Sequence, residues 1–425
     1  MRTLIRTVVV GVVAGLTVAP TTCMAGVVSS APSVAPTIFA MSLHIGWEVD
    51  AVTGRNTCVA VSEHTCSSHK QSQEAGGFDY PSSVAVDPRK GNIYVADLSN
   101  FRVQKFTADG TFVLTFGGDV NATTDAQRGA SPEMRNICTA RSSDRCTAGT
   151  SGGEAGQLSY PASVAVDPHT GDVYIMEVGA GHNRLDKYTP DGRFVWTVSR
   201  GFKSASQSGD LLAVGGPEHL VYVGDEHRVR EFDVQGRLRR EILLASASAA
   251  PLSAVSSIAV DRAGDVYLVY RTSTQERGAP VEHADLIRRF NPAGEEVGQF
   301  PVLARLPNAE AHIDGIALDP TGRLAVIGVE EGPVIGAEAG PGFYERFGFV
   351  YEGATGRLVG EFPPPQDNDG LTFDGRGGLY VAATDDQEVV GYAPLAAAGL
   401  LTSVVGCGFD GRAGGISKPT GCLTY

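Results

Sequence analysis

Apolar and polar residues alternate with a period of two along short runs of this chain. Val84 and Val86 share one side of such a run, and Ile93 and Val95 share one side of the next. Period two over four to eight residues is the signature of a β-strand with one packed face. The residues between the runs, Asp87-Pro88-Arg89-Lys90-Gly91-Asn92, have the composition of a turn. A third run follows at Arg102-Val103-Gln104-Lys105-Phe106, then the turn Thr107-Ala108-Asp109-Gly110 and a fourth run from Phe112 to Phe116. The pattern predicts four short antiparallel strands joined by tight turns.

The unit recurs. Pro81-Ser82-Ser83-Val84-Ala85-Val86-Asp87-Pro88 returns as Pro161-Ala162-Ser163-Val164-Ala165-Val166-Asp167-Pro168, and fainter copies start at Leu211, Ser256, Asp314 and Asp369. Six copies of a four-stranded antiparallel unit predict an all-β fold, a six-bladed β-propeller spanning residues 37–400. The segment Ile38 to Val49 aligns with Phe112 to Val120, a fourth strand. The ring is therefore expected to be closed by the N-terminal strand, which completes a blade begun by the last copy and protects two sheet edges. Leu400 to Val405 is the competing closing strand.

Asp97-Leu98-Ser99-Asn100-Phe101-Arg102-Val103, with Phe116-Gly117-Gly118 at the end of the unit, resembles the NHL repeat. The second copy resembles it less closely, and the last four depart from the Asp-x-x-Asn-x-Arg pattern. The resemblance implies a propeller of the bacterial secreted type. Asp314-Gly315-Ile316 and Asp369-Gly370-Leu371 are also similar to the segments that open the inner strands of gluconolactonase-like six-bladed propellers. There a matching Asp binds a divalent metal; the other ligands of that family have no counterpart in this sequence.

Composition agrees with a turn-rich repeat protein, since Gly 53 and Pro 23 of 425 residues are spread along the chain. Residues 1–25 carry Arg2 and Arg6, an apolar run from Val8 to Val18 and the small-residue end Cys23-Met24-Ala25, the order of a secretory signal peptide. Residues 26–36 then read as a flexible mature N-terminus. Cleavage removes Cys23 and leaves six of seven cysteines, which fall into near pairs, Cys58 with Cys66, Cys138 with Cys146 and Cys407 with Cys422. Three local disulfides and a secreted, extracellular or cell-envelope location are expected, with the tail at 401–425 closed by the third. Lipid anchoring at Cys23 is the alternative, although Pro20-Thr21-Thr22 is a poor lipobox. Formal charge is −14, and −16 once Arg2 and Arg6 are subtracted; this argues against nucleic acid and anionic lipid as partners. No later apolar run is long enough for a transmembrane segment, and a monomer is expected.

Two inserts, at 55–76 and 135–157, share one device: Arg55-Asn56-Thr57-Cys58 and Arg135-Asn136-Ile137-Cys138, each with a second Cys eight residues on. A disulfide closing a loop of this size contributes about 2.5 kcal/mol by chain entropy. His64 and His69 flank Cys66, a zinc-like grouping that the second insert lacks. Gly149-Thr150-Ser151-Gly152-Gly153 matches a nucleophile-elbow pattern outside the strand-to-helix context that pattern requires. When the blades are aligned, the residue two before the first apolar position is Ser82, Ala162, Asp210, Ser256, Asp314 and Asp369. Asp210, Asp314 and Asp369 form a candidate ring of carboxylates at one mouth of the axial channel. Such a ring suits Ca²⁺ or Mg²⁺; Asp before Gly also serves simply as a strand-entry turn. No catalytic residue is assigned and no cofactor is required. The expected function is a non-enzymatic scaffold binding a protein, peptide or glycan through loops on a propeller face, with Thr272 to Ala284 and Gly332 to Arg346 as further inserts. The alternative is a metal-dependent hydrolase or lyase at the axial channel.

Overall fold

The computed structural model describes residues 39–46, 56–58, 70–125, 127, 129–178, 183–199, 202, 211–225, 228–244, 254–274, 282–302, 310–332, 343–365 and 368–394. Six antiparallel sheets follow one another around an axis. In blade one the strands are Pro81–Val86, Ile93–Asp97, Arg102–Phe106 and Phe112–Gly117, from the axis outwards. Blades two to five open with Pro161–Val166, Leu212–Gly215, Ala254–Val260 and Glu310–Leu318, and each runs through four consecutive strands. Among the described residues, no helix is long and apolar enough to cross a membrane.

Blade six is composite. Its inner strands are Asn368–Phe373, Leu379–Ala383 and Glu388–Pro394, and its fourth strand is Phe39–Gly46 from the other end of the chain. The register runs from Phe39 opposite Pro394 to Gly46 opposite Glu388, with a bulge between Met41 and Leu43. The N-terminal strand thus closes the ring, as the alignment with the fourth strand predicts. Residues 400–405 lie outside the described residues.

Alternating side chains of each blade pack against the next blade, so the hydrophobic cores are seams. Leu43, Ile45, Phe78, Val84, Val95 and Val389 fill the seam between blades six and one. Phe39, Phe373, Phe362 and Leu379 belong to the core joining blades five and six. Hydroxyls stitch the innermost strands together where a strand edge faces the axis. The Val164 N–H donates to Ser83 Oγ at 3.1 Å, Leu211 N–H to Ser163 Oγ at 3.0 Å, and Ile316 N–H to Ser257 Oγ at 3.1 Å. Thr384 Oγ1 donates to the Pro81 carbonyl at 3.1 Å, across the seam where the ring closes.

The described ends of two of the expected inserts are strand. Residues Thr272 and Ala284 are paired partners, as are Gly332 and Phe343, in ribbons that prolong the second and third strands of blades four and five. Their tips, 275–281 and 333–342, lie outside the described residues. The inserted residues extend the hydrogen-bonded ladder because they continue directly from strands that are already paired.

Ile45 has no exposed surface and lies in the segment farthest in sequence from the blade it completes. Ile45→Ala is expected to cost about 2–5 kcal/mol, read as a lowered midpoint in urea unfolding. A neutral substitution there would contradict closure by this strand.

Candidate functional site

Strand direction sorts the connections onto two faces. The turns between first and second strands and between third and fourth strands share one face, here the turn face. The links between second and third strands, and those leading into the next blade, share the other, the loop face. On the turn face, the aspartate ending each Val-Asp type motif folds its carboxylate back onto the turn. Asp87 Oδ1 accepts from Arg89 N–H at 3.0 Å, Asp319 Oδ1 from Thr321 N–H at 2.8 Å, and Asp374 Oδ1 from Arg376 N–H at 2.8 Å. These carboxylates are occupied in structure. The long segments, both Cys-containing inserts and both ribbons, all rise on the loop face.

Each insert adds a fifth, outermost strand to its blade, Thr57–Cys58 beside Phe39–Gly46 and Ile137–Thr139 beside Phe112–Gly117. Cys138 and Cys146 form a disulfide and are buried with Val120. Only the backbone of Cys58 is described, and Cys66, Cys407 and Cys422 lie outside the described residues, as do His64 and His69. The shared Asn of the two inserts packs against a glycine of the returning chain. A Cβ at Gly76 would lie 2.8 Å from Asn56 Nδ2, and one at Gly156 3.0 Å from Asn136 Nδ2. Both glycines have positive φ, +83° and +82°, so the Arg-Asn-x-Cys and Glu-Ala-Gly segments form one device, made twice. Gly149 and Gly152 belong to this returning chain, whose Ser151 hydroxyl meets the Ser159 hydroxyl at 2.8 Å. Asn121 is buried, and its Nδ2 donates to the Asp144 carboxylate at 3.0 Å.

The Asp-x-x-Asn-x-Arg residues fasten the return leg to blade one. Arg102 has no exposed surface; its Nε donates to Asp97 at 2.7 Å, and its terminal nitrogens donate to the carbonyls of Gln73, Glu74 and Gly77 at 2.8, 3.0 and 2.8 Å. Asp97 also accepts from the Asp79 N–H at 2.8 Å, and Gln104 donates to Gly77 at 2.6 Å. Blade two repeats the arrangement with Glu177, Arg184 and Asp186. Arg184 reaches the carbonyls of Gly153 and Gln157 at 2.7 and 2.6 Å, and the Ser159 N–H donates to Glu177 at 2.7 Å. Asp186 holds the place of the neutral Gln104, so two buried carboxylates share one guanidinium there. Burial, reinforced by the Asp186 charge, pushes the Glu177 carboxyl from 4.5 up to about 9.

At the channel mouth the chain leaves this clamp through Tyr80 and Tyr160, which precede the inner strands of blades one and two. Both take left-handed φ values, 64° and 62°, and remain 42% and 40% exposed. A bulky residue in that region is strained by about 1–2 kcal/mol. Phe101, also left-handed at φ 50°, stacks edge-on with Tyr160 at 5.2 Å. Sequence reasoning passed over these aromatics; the signal was available in the repeated Tyr-Pro that opens both strong copies.

The ring position itself is a β-bulge. The register skips Ser82, Ala162, Ser256 and Asp314 in their blades, and a bulge redirects the side chain it carries. Ser82 is buried and donates to the Pro161 carbonyl at 3.0 Å. Asp314 is 30% exposed, with its carboxylate 3.9 Å from the Arg346 guanidinium on the ribbon of its own blade. Asp210 lies outside the described residues, and of Asp369 only the backbone is described. Among the described residues, no three His, Cys, Asp or Glu side chains are grouped to hold a metal ion. Deeper in, the axial channel contains a cavity of about 130 Å³ lined by Val84, Val164, Leu212, Ile258, Ile316 and Leu371 with their neighbours.

Residues 78–106 match the NHL repeat. Solved structures of similar fold include hydrazine synthase of Kuenenia stuttgartiensis, at 13% identity over 74% of this chain and 76% of that chain, TM-score 0.44. They also include a gluconolactonase of Xanthomonas campestris, at 15% identity over 85% of this chain and 98% of that chain, TM-score 0.44. A third is virginiamycin B lyase of Staphylococcus aureus, at 13% identity over 76% of this chain and 99% of that chain, TM-score 0.39. No protein of curated function matches the chain in sequence.

The clamp of blade two makes stability depend on pH. Because the Glu177 carboxyl is raised in the folded state, its contribution is complete below 4.5 and is lost as pH rises through about 9. The melting temperature is expected to fall across that window, and Asp186→Asn, which supplies a neutral amide as Gln104 does in blade one, is expected to reduce the fall.

Proposed function

We propose that this protein is a secreted or cell-envelope binding scaffold that engages a peptide, glycan or protein surface through its loop face. The observation that carries the reading is the pair of strained, exposed tyrosines. Tyr80 and Tyr160 occupy one position in two neighbouring blades, each in a left-handed conformation, and each is fixed by backbone bonds. The Tyr80 N–H donates to Gln387 Oε1 at 2.7 Å, and the carbonyls of Tyr80 and Tyr160 accept from Leu98 and Val178 N–H at 3.2 Å. Backbone strain clusters at functional sites, and aromatic side chains, with two rotatable bonds, lose little entropy on binding. Tyr160 and Phe101 form an aromatic patch between blades one and two, beside the stapled insert, and Tyr80 takes the same position at the seam of blades six and one, against Gln387.

The signal-like residues 1–25 and the Cys138–Cys146 disulfide support an oxidising, extracytoplasmic setting. The acidic balance of the chain disfavours nucleic acid.

Peptide and glycan arrays probed with the purified chain are expected to yield a binder. Tyr80→Gly with Tyr160→Gly should weaken it about tenfold or more, from roughly 0.5–1.5 kcal/mol per aromatic contact, while leaving the melting temperature unchanged or higher, because glycine accepts the left-handed backbone. Undiminished binding by the double variant would sink the assignment to this patch. Ca²⁺- or Mg²⁺-dependent turnover of lactones or esters, with no array binder, would replace the scaffold by the hydrolase or lyase reading.

A further inference from the structure

A tyrosine near the turn face recurs in five blades, opposite a cation in three of them, opposite Gly391 as Tyr380 in blade six, and opposite a carboxylate in blade three. Tyr94 lies opposite Lys105 in blade one, Tyr174 opposite Lys187 in blade two, and Tyr267 opposite Arg289 in blade four. Each cation lies over the ring of its own blade, at 5.3, 5.4 and 5.6 Å. In blades one and two the ammonium also crosses the seam. Lys105 Nζ donates to the Pro190 carbonyl at 2.8 Å and Lys187 Nζ to the Val234 carbonyl at 3.2 Å, each in the last turn of the next blade. Lys187 Nζ additionally meets the Asp172 carboxylate at 2.8 Å. In blade two a tyrosine ring, a turn carbonyl and a carboxylate thus make up an ammonium site between blades; blade one has the ring and the carbonyl.

Blade three keeps the tyrosine and reverses the partner's charge: Tyr222 lies opposite Glu231. Its seam with blade four holds a cavity of about 250 Å³ lined by Tyr222, Glu231, Glu218, Arg239, Arg240 and Pro292. Pro292 occupies in blade four the place of Pro190 in blade two, and its carbonyl receives no hydrogen bond from the described residues. Glu231 is buried, with Arg240 forked onto it at 3.1 and 2.5 Å. Arg239 is exposed and leans towards Asp233 at 4.0 Å, and Glu218 is exposed at the rim. No cation of the described residues lies over the Tyr222 ring.

We propose that this cavity binds a primary ammonium from outside the chain, a lysine side chain of a peptide or a comparable alkylammonium, where blades one and two place their own lysine. The Tyr222 ring, the Pro292 carbonyl and the Glu231 and Glu218 carboxylates supply cation–π, hydrogen-bond and charge partners of the kinds that Lys187 uses. Arg240 orients Glu231 without covering the ring. The volume is below the roughly 300 Å³ at which pockets for whole drug-sized ligands begin, which suits one side chain. The site is on the turn face, opposite the aromatic patch, and stands independently of it.

The test is a calorimetric or NMR titration of the full chain with Nα-acetyl-lysine methylamide, with the norleucine counterpart as the uncharged control. Saturable binding in the millimolar range is expected for the lysine compound alone. Glu231→Lys, which installs the repeat's own ammonium, should abolish it, and Glu218→Gln should weaken it about threefold. Should Glu231→Lys fail to fold, Glu231→Gln serves in its place, with an expected loss of about tenfold. No saturable binding, equal binding of the norleucine compound, or undiminished binding by the folded Glu231 variant would overturn the proposal.

Discussion

A four-stranded sheet has two faces and can bury neither by itself, so every blade of this protein needs a neighbour on each side. That requirement makes the closing seam decisive. Phe39 and Ile45, from a strand hundreds of residues away from blade six in sequence, are almost wholly removed from solvent there. The five single-piece blades lean on the composite one as much as it leans on them. Without it, two sheet faces and the outer edge of Glu388–Pro394 would meet water.

Within that constraint, one structural position is solved by different chemistry in different blades. The end of the second strand and the start of the third meet at the loop face, where blade one places Asp97 and Arg102 and blade two Glu177 and Arg184. Blade three places Asp225 and Arg228, with Nε 3.2 Å from the carboxylate. Blade six has Glu388 at the arginine position and answers it with His44 at 2.9 Å from the closing strand. Blade five abandons charge: buried Phe347 stands where the arginine would be, opposite Gly328, whose Cβ would lie 2.6 Å from that ring. Buried ion pairs are replaceable by well-packed apolar residues at little net cost. In blades one and two the charged version also ties down an insert, because an arginine can reach several loop carbonyls at once. Blade five grows a ribbon at that corner, whose own ladder satisfies its backbone.

The two faces therefore differ in kind. The turn face is closed by aspartates folded onto their own turns, and in blade three the recurring tyrosine faces a carboxylate in place of a cation. Among the described residues, the loop face collects the inserts, the ribbons, the Cys138–Cys146 disulfide and the strained aromatics. Buried arginine–carboxylate clamps beneath it tie the returning chain of both inserts to blades one and two.

Much of this was legible in the sequence, because strand period, turn residues and repetition are local properties. The six blades, the closing strand at Ile38 to Val49 and the pairing of Cys138 with Cys146 all follow from patterns within short windows. The NHL-like residues marked the fold, yet their work as a clamp on Gln73, Glu74 and Gly77 depends on contacts some 25 residues away in sequence. Alignment also put Ser82, Ala162, Ser256 and Asp314 at one position, and only the strand register showed that position to be a bulge. There Ser82 turns into the seam and Asp314 faces Arg346. The exposure of Tyr80 and Tyr160, and the cavity beside Glu231, were likewise decided by tertiary structure: which face of a blade meets a neighbour, and what that neighbour brings, is set by the closed ring and not by any local run of residues.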